Sequence, residues 1–243
     1  EYINKEERFG KWKDNCFLLQ GDAVRNYTLM FLQLWNTTVS QDAKLYQPYV
    51  SVRSDRVPRE GDGFIIPYGD GPHSPVSVAQ SIYLNIIHSA VDYVHIMTPY
   101  LVLDDEMLNA LKRAAKSGID VRILLPYIPD KKTVNLIGKT YYPELLEAGV
   151  HIYEYTPGFV HSKVVEADGN IAAVGTINLD FRSLYLHYEC ACLIFENDVL
   201  KDITEDFHRT FADSHRITMS DYKKMNLMKR FAGRVLRVFA PQV

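Results

Sequence analysis

Apolar positions recur with two periods between residues 75 and 212. Helical spacing runs over about 75–90, 104–117, 131–148 and 198–212, and the β-rich runs VDYVHIM, IDVRILL and VHIYEY lie between these segments. Such alternation predicts an α/β domain with a mixed β-sheet flanked by helices, at least partly parallel. SGID and AGVH place a helix-ending glycine directly before two of the strands. Residues 36–74 have another texture, rich in Ser, Asp, Pro and Gly, with only FIIPY strand-like. They read as a linker between two units.

A weak internal repeat supports that division. KWKDNCFLLQGDAV (11–24) lies over LHYECACLIFENDV (186–199) so that Asp14 meets Glu189, and each copy then enters an amphipathic segment. With one residue of slip, Phe31 and Trp35 fall on Phe207 and Phe211. The expected organisation is therefore the tail of a first repeat (1–35), a linker (36–74), a second repeat (75–215) and a basic C-terminal tail (216–243). The chain begins without Met, which suggests that further sequence precedes it.

Composition narrows the function. A net charge of −3 over 243 residues offers no general field for nucleic acid. Charge is uneven, however: residues 221–243 carry six Lys or Arg against one acid, leaving the rest at about −8. In this tail Met225, Met228, Ala232, Val235 and Phe239 fall at three- and four-residue steps. Such a helix either lies on an anionic bilayer or packs on the domain with its charges in water. Three cysteines, Cys16, Cys190 and Cys192, make no disulfide framework and fit a reducing compartment. No run of 18 apolar residues occurs.

The chemistry concentrates in HSKVVEADGNIAAVGTIN, residues 161–178. Two β-rich runs flank Asp168-Gly169-Asn170, and a two-residue Gly169-Asn170 loop predicts a hairpin. In that register His161 faces Asn178 and Lys163 faces Thr176, with all four side chains on one side of the sheet and Val164, Ala173 and Ile177 on the other. The four groups suit a phosphoryl group. Lysine supplies charge, Asn and Thr supply neutral donors, and imidazole can attack phosphorus or move a proton, with no metal or cofactor required. Glu189, on the next strand, is placed to hold the second imidazole nitrogen of His161. Asp168 sits in the turn, where local backbone is its natural partner.

HSKVVEAD fits H-x-K-x4-D and VGTIN supplies G-[S/T]-x-N, which together resemble the signature of the phospholipase D superfamily. Nearly the whole chain resembles the bacterial cardiolipin synthases of that superfamily, through EYINKEERFGKWKDNCFLLQGDAV, TPYLVLDD, YYPELLEAGVHIYEY and NLDFRSLYLHYE. The resemblance implies two such motifs sharing one site, of which this chain holds the second. It implies phosphatidyl transfer between two phosphatidylglycerol molecules through a phosphatidyl-histidine, at the bacterial cytoplasmic membrane on its cytoplasmic side. Lys163, Asn178 and Thr176 would then hold the phosphate, His161 would be general acid or nucleophile, and Asp14 would orient the absent first-motif histidine. The implied partners are phosphatidylglycerol, an anionic membrane surface, and either an N-terminal lobe or a second copy. Within the same chemistry a dimeric nuclease is an alternative, disfavoured by the acidic body of the chain. A non-catalytic lipid-binding module acting through the tail is another.

The remaining histidines, His73, His88, His95, His151, His187, His208 and His215, lack a companion pattern, although His187 can share a sheet face with Glu189. Thr98-Pro99-Tyr100 ends a strand at the edge where open α/β sheets bind ligands. Arg182 and Ser183, following NLDF, border the expected site.

Overall fold

The computed structural model describes residues 2–39, 42–51 and 61–240. Part of the linker (52–60) and the end of the tail (241–243) lie outside the described residues. In chain order the elements are β1 (Lys11–Lys13), α1 (Val24–Thr38), α2 (Gln47–Val50), β2 (Phe64–Asp70), α3 (Val78–Ser89), β3 (Tyr93–Met97), β4 (Leu101–Val102), α4 (Asp105–Lys116), β5 (Asp120–Pro126), α5 (Lys132–Gly138), α6 (Tyr142–Ala148) and β6 (His151–Tyr155). They continue with β7 (Gly158–Val160), β8 (Val164–Ala167), β9 (Ile171–Gly175), β10 (Leu179–Asp180), α7 (Phe181–Tyr185), β11 (Glu189–Phe195), α8 (Val199–Ala212), β12 (Ser214–Ile217), α9 (Met219–Lys224) and α10 (Leu227–Arg237).

Eight strands form one mixed sheet in the order β12-β6-β5-β3-β8-β9-β11-β2. The run β3-β5-β6 is parallel because helical crossovers join β3 to β5 and β5 to β6, and the other neighbours are antiparallel. Helices cover both faces. On one, Tyr83, Ile86 and Ile87 of α3, Met107 and Leu111 of α4 and Leu145 of α6 bury Val94, Ile96, Val121, Ile123 and Ala173. On the other, Leu200, Phe207 and Phe211 of α8 close over Met97, Leu124, Val164, Val174 and Cys192. The periodic segment 131–148 divides into α5 and α6, because Pro143 cannot supply the amide that a continuous helix needs. Gly118 and Gly149 hold φ of 98° and 100°, ending the helices before β5 and β6.

Two features differ from the sequence reading. FIIPYGD, inside the stretch read as linker, pairs along its full length with β11 as the edge strand β2. The hairpin register is shifted by one residue: Val164 pairs with Val174, and Ala167 with Ile171. Three residues turn the chain, since Asp168 and Gly169 both take positive φ, 53° and 65°. Val164 consequently packs under α8 while Ala173 and Ile177 face α3, instead of sharing one side.

The N-terminal segment docks on the domain. β1 adds in parallel to β7, with Lys11, Trp12 and Lys13 opposite Gly158, Phe159 and Val160. Gly158 allows this approach, because a Cβ there would lie 2.4 Å from both the amide nitrogen and the carbonyl oxygen of Lys11. α1 rests on β2, with Met30 against Gly69, yet Phe31, Leu34 and Trp35 stay exposed, as do Phe64 and Ile66 on the edge strand.

Candidate active site

Parallel pairing of β1 with β7 carries Asp14 to the residue that follows β7, which is His161. The His161 amide donates to the Lys13 carbonyl at 2.7 Å, and Asp14 Oδ2 lies 2.8 Å from His161 Nδ1. This contact fixes the ring and leaves Nε2 as the nitrogen available to a substrate. Trp12 flanks the imidazole, with ring centroids 5.0 Å apart. Burial pushes the Asp14 carboxyl up, but its hydrogen bond and charge contact with His161, helped by Lys163, bring it below its ordinary value.

Lys163 is buried and donates through Nζ to the His161 carbonyl at 2.5 Å, which leaves two ammonium hydrogens uncommitted. Burial lowers its pKa to about 8, against the pull of Asp14, Glu189, Asp180 and Asp130. The strand ladder stops at Val164 on one side and Gly175 on the other. His161, Lys163, Thr176 and Asn178 therefore converge from the irregular ends of β8 and β9, where strand alternation no longer sets direction. Together with Asp14, Asn15 and Gly175 they line an open cleft of about 410 Å³.

Asn178 donates through Nδ2 to Ser183 Oγ at 3.0 Å, and its buried Oδ1 has no hydrogen-bond partner among the described residues. Asp180 caps α7 by accepting from the Ser183 amide at 2.7 Å, fixing the serine that Asn178 uses. Gly175 has no alternative, because a Cβ would fall 2.4 Å from the Ala191 side chain and from the Cys190 carbonyl on β11.

Glu189 does not reach His161. β9 lies between β8 and β11, so the carboxylate meets Thr176, which hydrogen-bonds it and also engages the backbone of Cys190. Burial raises the Glu189 pKa, partly offset by Thr176 and Ser183. The acid on His161 is Asp14, which the family resemblance assigned to the absent first-motif histidine. Sequence spacing missed this because 147 residues separate the partners and only the β1–β7 pairing joins them.

Asp168 stands at the far end of β8 and accepts from the amides of Val91, Asp92 and Tyr93 at 2.7, 2.9 and 2.8 Å. It ties the hairpin to the start of β3 and takes no part in the cleft. His187 accepts from Arg182 Nε at 2.6 Å and lies 3.9 Å from Glu189. His95 is buried beside Glu166. Asn15, which sequence reasoning passed over, lines the cleft and donates to Asp206 at 2.7 Å, where Lys13 is also paired. Only its adjacency to Asp14 pointed to it. Among the described residues, no group of three or more His, Cys, Asp or Glu is arranged to hold a metal ion.

Comparison with known proteins gives the family and the fold. Residues 83–211 match the family described as cardiolipin synthase, phospholipase D-like domain. The chain is 48% identical over 241 residues to an uncharacterised protein of Streptococcus mutans, covering 99% of this chain and 51% of that one. It is 38% identical to cardiolipin synthase 2 of Bacillus anthracis and 39% identical to the cardiolipin synthase of Geobacillus kaustophilus, covering 99% of this chain and 46% and 47% of theirs. The chain thus spans about half the length of the curated relatives it matches. Among solved structures, phosphatidylserine synthase of Haemophilus influenzae aligns with a TM-score of 0.55 at 18% identity, over 72% of this chain and 45% of that one. Nuc of Salmonella typhimurium, a phospholipase D family member, aligns at 0.52 and 20%, over 62% and 98%. Those two likenesses establish the fold alone, while the domain match over residues 83–211, more than half of the chain, gives the family: this chain belongs to the cardiolipin synthase, phospholipase D-like domain family.

Proposed function

We propose that this chain contributes one half of a phosphatidyl-transfer site that joins two phosphatidylglycerol molecules into cardiolipin and glycerol at the bacterial cytoplasmic membrane. The observation that carries the reading is the Asp14–His161 pair, which holds Nδ1 at 2.8 Å and leaves Nε2 as the other ring nitrogen of a side chain that lines the cleft with Lys163 and Asn178. In the first step a histidine attacks phosphorus, the bond from phosphorus to the glycerol oxygen breaks, and a second imidazolium gives its proton to that oxygen. In the second step a hydroxyl of another phosphatidylglycerol loses its proton to the same imidazole and displaces the first histidine from phosphorus.

His161 is assigned the proton-transfer role, for which an Asp14-held imidazole with one free nitrogen is suited. Lys163 neutralises the non-bridging oxygens with its two uncommitted hydrogens. Asn178 lines the same cleft and is tied through Nδ2 to Ser183 Oγ, which holds its carboxamide beside the phosphate. Thr176 supports this wall by engaging Glu189. By the repeat correspondence of Asp14 with Glu189, Glu189 would orient the nucleophilic histidine of the other half. The shared family and the half-length alignment support a two-lobed enzyme, as does the apolar surface left open on α1 and β2.

The test is conversion of labelled phosphatidylglycerol by the complete polypeptide from which this segment derives. Cardiolipin and glycerol should form in equal amounts, and His161→Ala should lower the rate by about 10³-fold or more. The isolated chain should be nearly inactive. Accumulation of phosphatidic acid without cardiolipin would contradict transfer, and efficient, His161-dependent synthesis by the isolated chain would contradict the half-site.

A further inference from the structure

The C-terminal helix is built inside out. α10 packs on α5 through its smallest residue: a Cβ on Gly233 would lie 2.8 Å from the Leu136 carbonyl and 3.0 Å from the Thr140 methyl. Ala240 is buried and Leu236 half-buried on the same side. Two arginines are committed to the domain as well. The Arg237 guanidinium lies 3.9 Å from the Tyr141 ring centre and 3.3 Å from Glu144, and that of Arg230 lies 4.7 Å from the Tyr222 ring centre.

A step of about 100° per residue puts Leu227, Met228, Phe231 and Val235 on the side opposite Gly233, and Val238 and Phe239 prolong that side past the helix end. All six are exposed, Leu227 by 74%, Met228 by 81% and Phe231 by 70%. Exposed Arg234 borders this ridge, exposed Lys229 stands one turn before Gly233, Lys223 and Lys224 precede the helix in α9, and residues 222–240 contain no acid. An ordinary surface helix buries its large apolar residues and shows its charges to water. Here the large apolar side chains face outward beside cations.

The helix also shares an edge of the molecule with the cleft. α10 touches α5, whose Gly138 packs on Leu101 of β4, and β4 pairs with β10, directly after Asn178. α5 follows the carboxyl end of β5, and β8 begins opposite the carboxyl end of β3. We propose that the outward face of α10 is an interfacial anchor that inserts Leu227, Met228, Phe231, Val235, Val238 and Phe239 into an anionic lipid bilayer, with the cleft held at headgroup level. A bilayer suits a convex ridge of long apolar side chains, since fluid acyl chains impose no shape on it, and the neighbouring cations match anionic headgroups. This goes beyond phosphatidyl transfer and stands without it.

Sedimentation of the chain with vesicles of 30% phosphatidylserine in phosphatidylcholine, across a salt series, tests the proposal. Binding should exceed that to pure phosphatidylcholine and fall with salt. Met228→Asp with Phe231→Asp should weaken it at least tenfold while circular dichroism and melting stay unchanged. Lys229→Gln with Arg234→Gln should weaken it severalfold and flatten the salt dependence. Phe231→Trp should add an emission component that shifts to the blue with vesicles. Binding indifferent to the Asp substitutions would overturn the proposal. So would binding that depends on His161→Ala instead, which would place lipid capture in the cleft and leave the transfer reading intact. Conversion of a dimer to a monomer by the Asp substitutions, with vesicle binding retained, would show that a second copy covers this face.

Discussion

Asp14 and Lys163 are the two side chains whose ionisation carries the most information. Replacing His161 with Ala removes the contacts that hold Asp14 low and leaves burial less opposed, so Asp14 should titrate at higher pH. Carboxyl carbon NMR of the variant and parent measures that movement. Asp14→Asn should lower transfer by the complete enzyme about 10²–10⁴-fold by releasing the imidazole. Lys163 is a charge the fold holds at a cost, since burial outweighs its surrounding carboxylates. Lys163→Met should therefore stabilise the chain at pH 7 by about 1–3 kcal/mol while abolishing phosphate capture. The folded value of about 8 lies below the ordinary 10.5, so between them the unfolded chain binds more protons and the parent's own stability rises with pH. The advantage of Met should shrink across that window in urea melts. The residues of the cleft were legible because H-x-K and G-T-x-N are compact in sequence. The acid on His161 was not, because a carboxylate 147 positions away leaves no local trace.

Elements explain how compact motifs become a site. α3, α4, α8 and the three parallel strands followed from apolar period, whereas 131–148 broke into α5 and α6 and the short α2 and α7 left no periodic trace; the glycine stops at 118 and 149 appear where the sequence put them. Register was another matter. Asp168 adopts a left-handed backbone and binds three amides of the β3 approach, so the turn takes three residues and every cross-strand pair moves by one. The convergence of His161, Lys163, Thr176 and Asn178 survives because they lie beyond the ladder. β1 is the most exposed dependency in this arrangement, a three-residue strand that positions Asp14. Gly158→Ala would drive a methyl group into the Lys11 backbone and should release β1, at a cost of about 1–3 kcal/mol. Amide exchange at Lys13 and His161 should accelerate. Transfer should fall to the level of Asp14→Asn, and the double variant should be no worse than either single one, since both remove the same contact.

At the scale of the molecule, charge and coverage organise the rest. The acidic body and basic end, visible in composition, resolve into a sheet domain and a helix whose apolar ridge points outward. Composition could not tell which face of α10 would pack, because Gly233 and not the large apolar residues makes the close contact. Phe31, Leu34 and Trp35 of α1 likewise follow the expected amphipathic spacing but stay exposed among the described residues. The proposed transfer requires one cleft to grip a tetrahedral oxyanion, and tungstate tests that grip most directly, because its charge is constant from neutral to alkaline pH. A crystal of the chain with tungstate should place the ion within hydrogen-bond reach of His161 Nε2, Lys163 Nζ and Asn178, and affinity in solution should decline as pH passes about 8. Tungstate bound elsewhere, or bound in the cleft with an affinity that neither Lys163→Met nor alkaline pH diminishes, would contradict it.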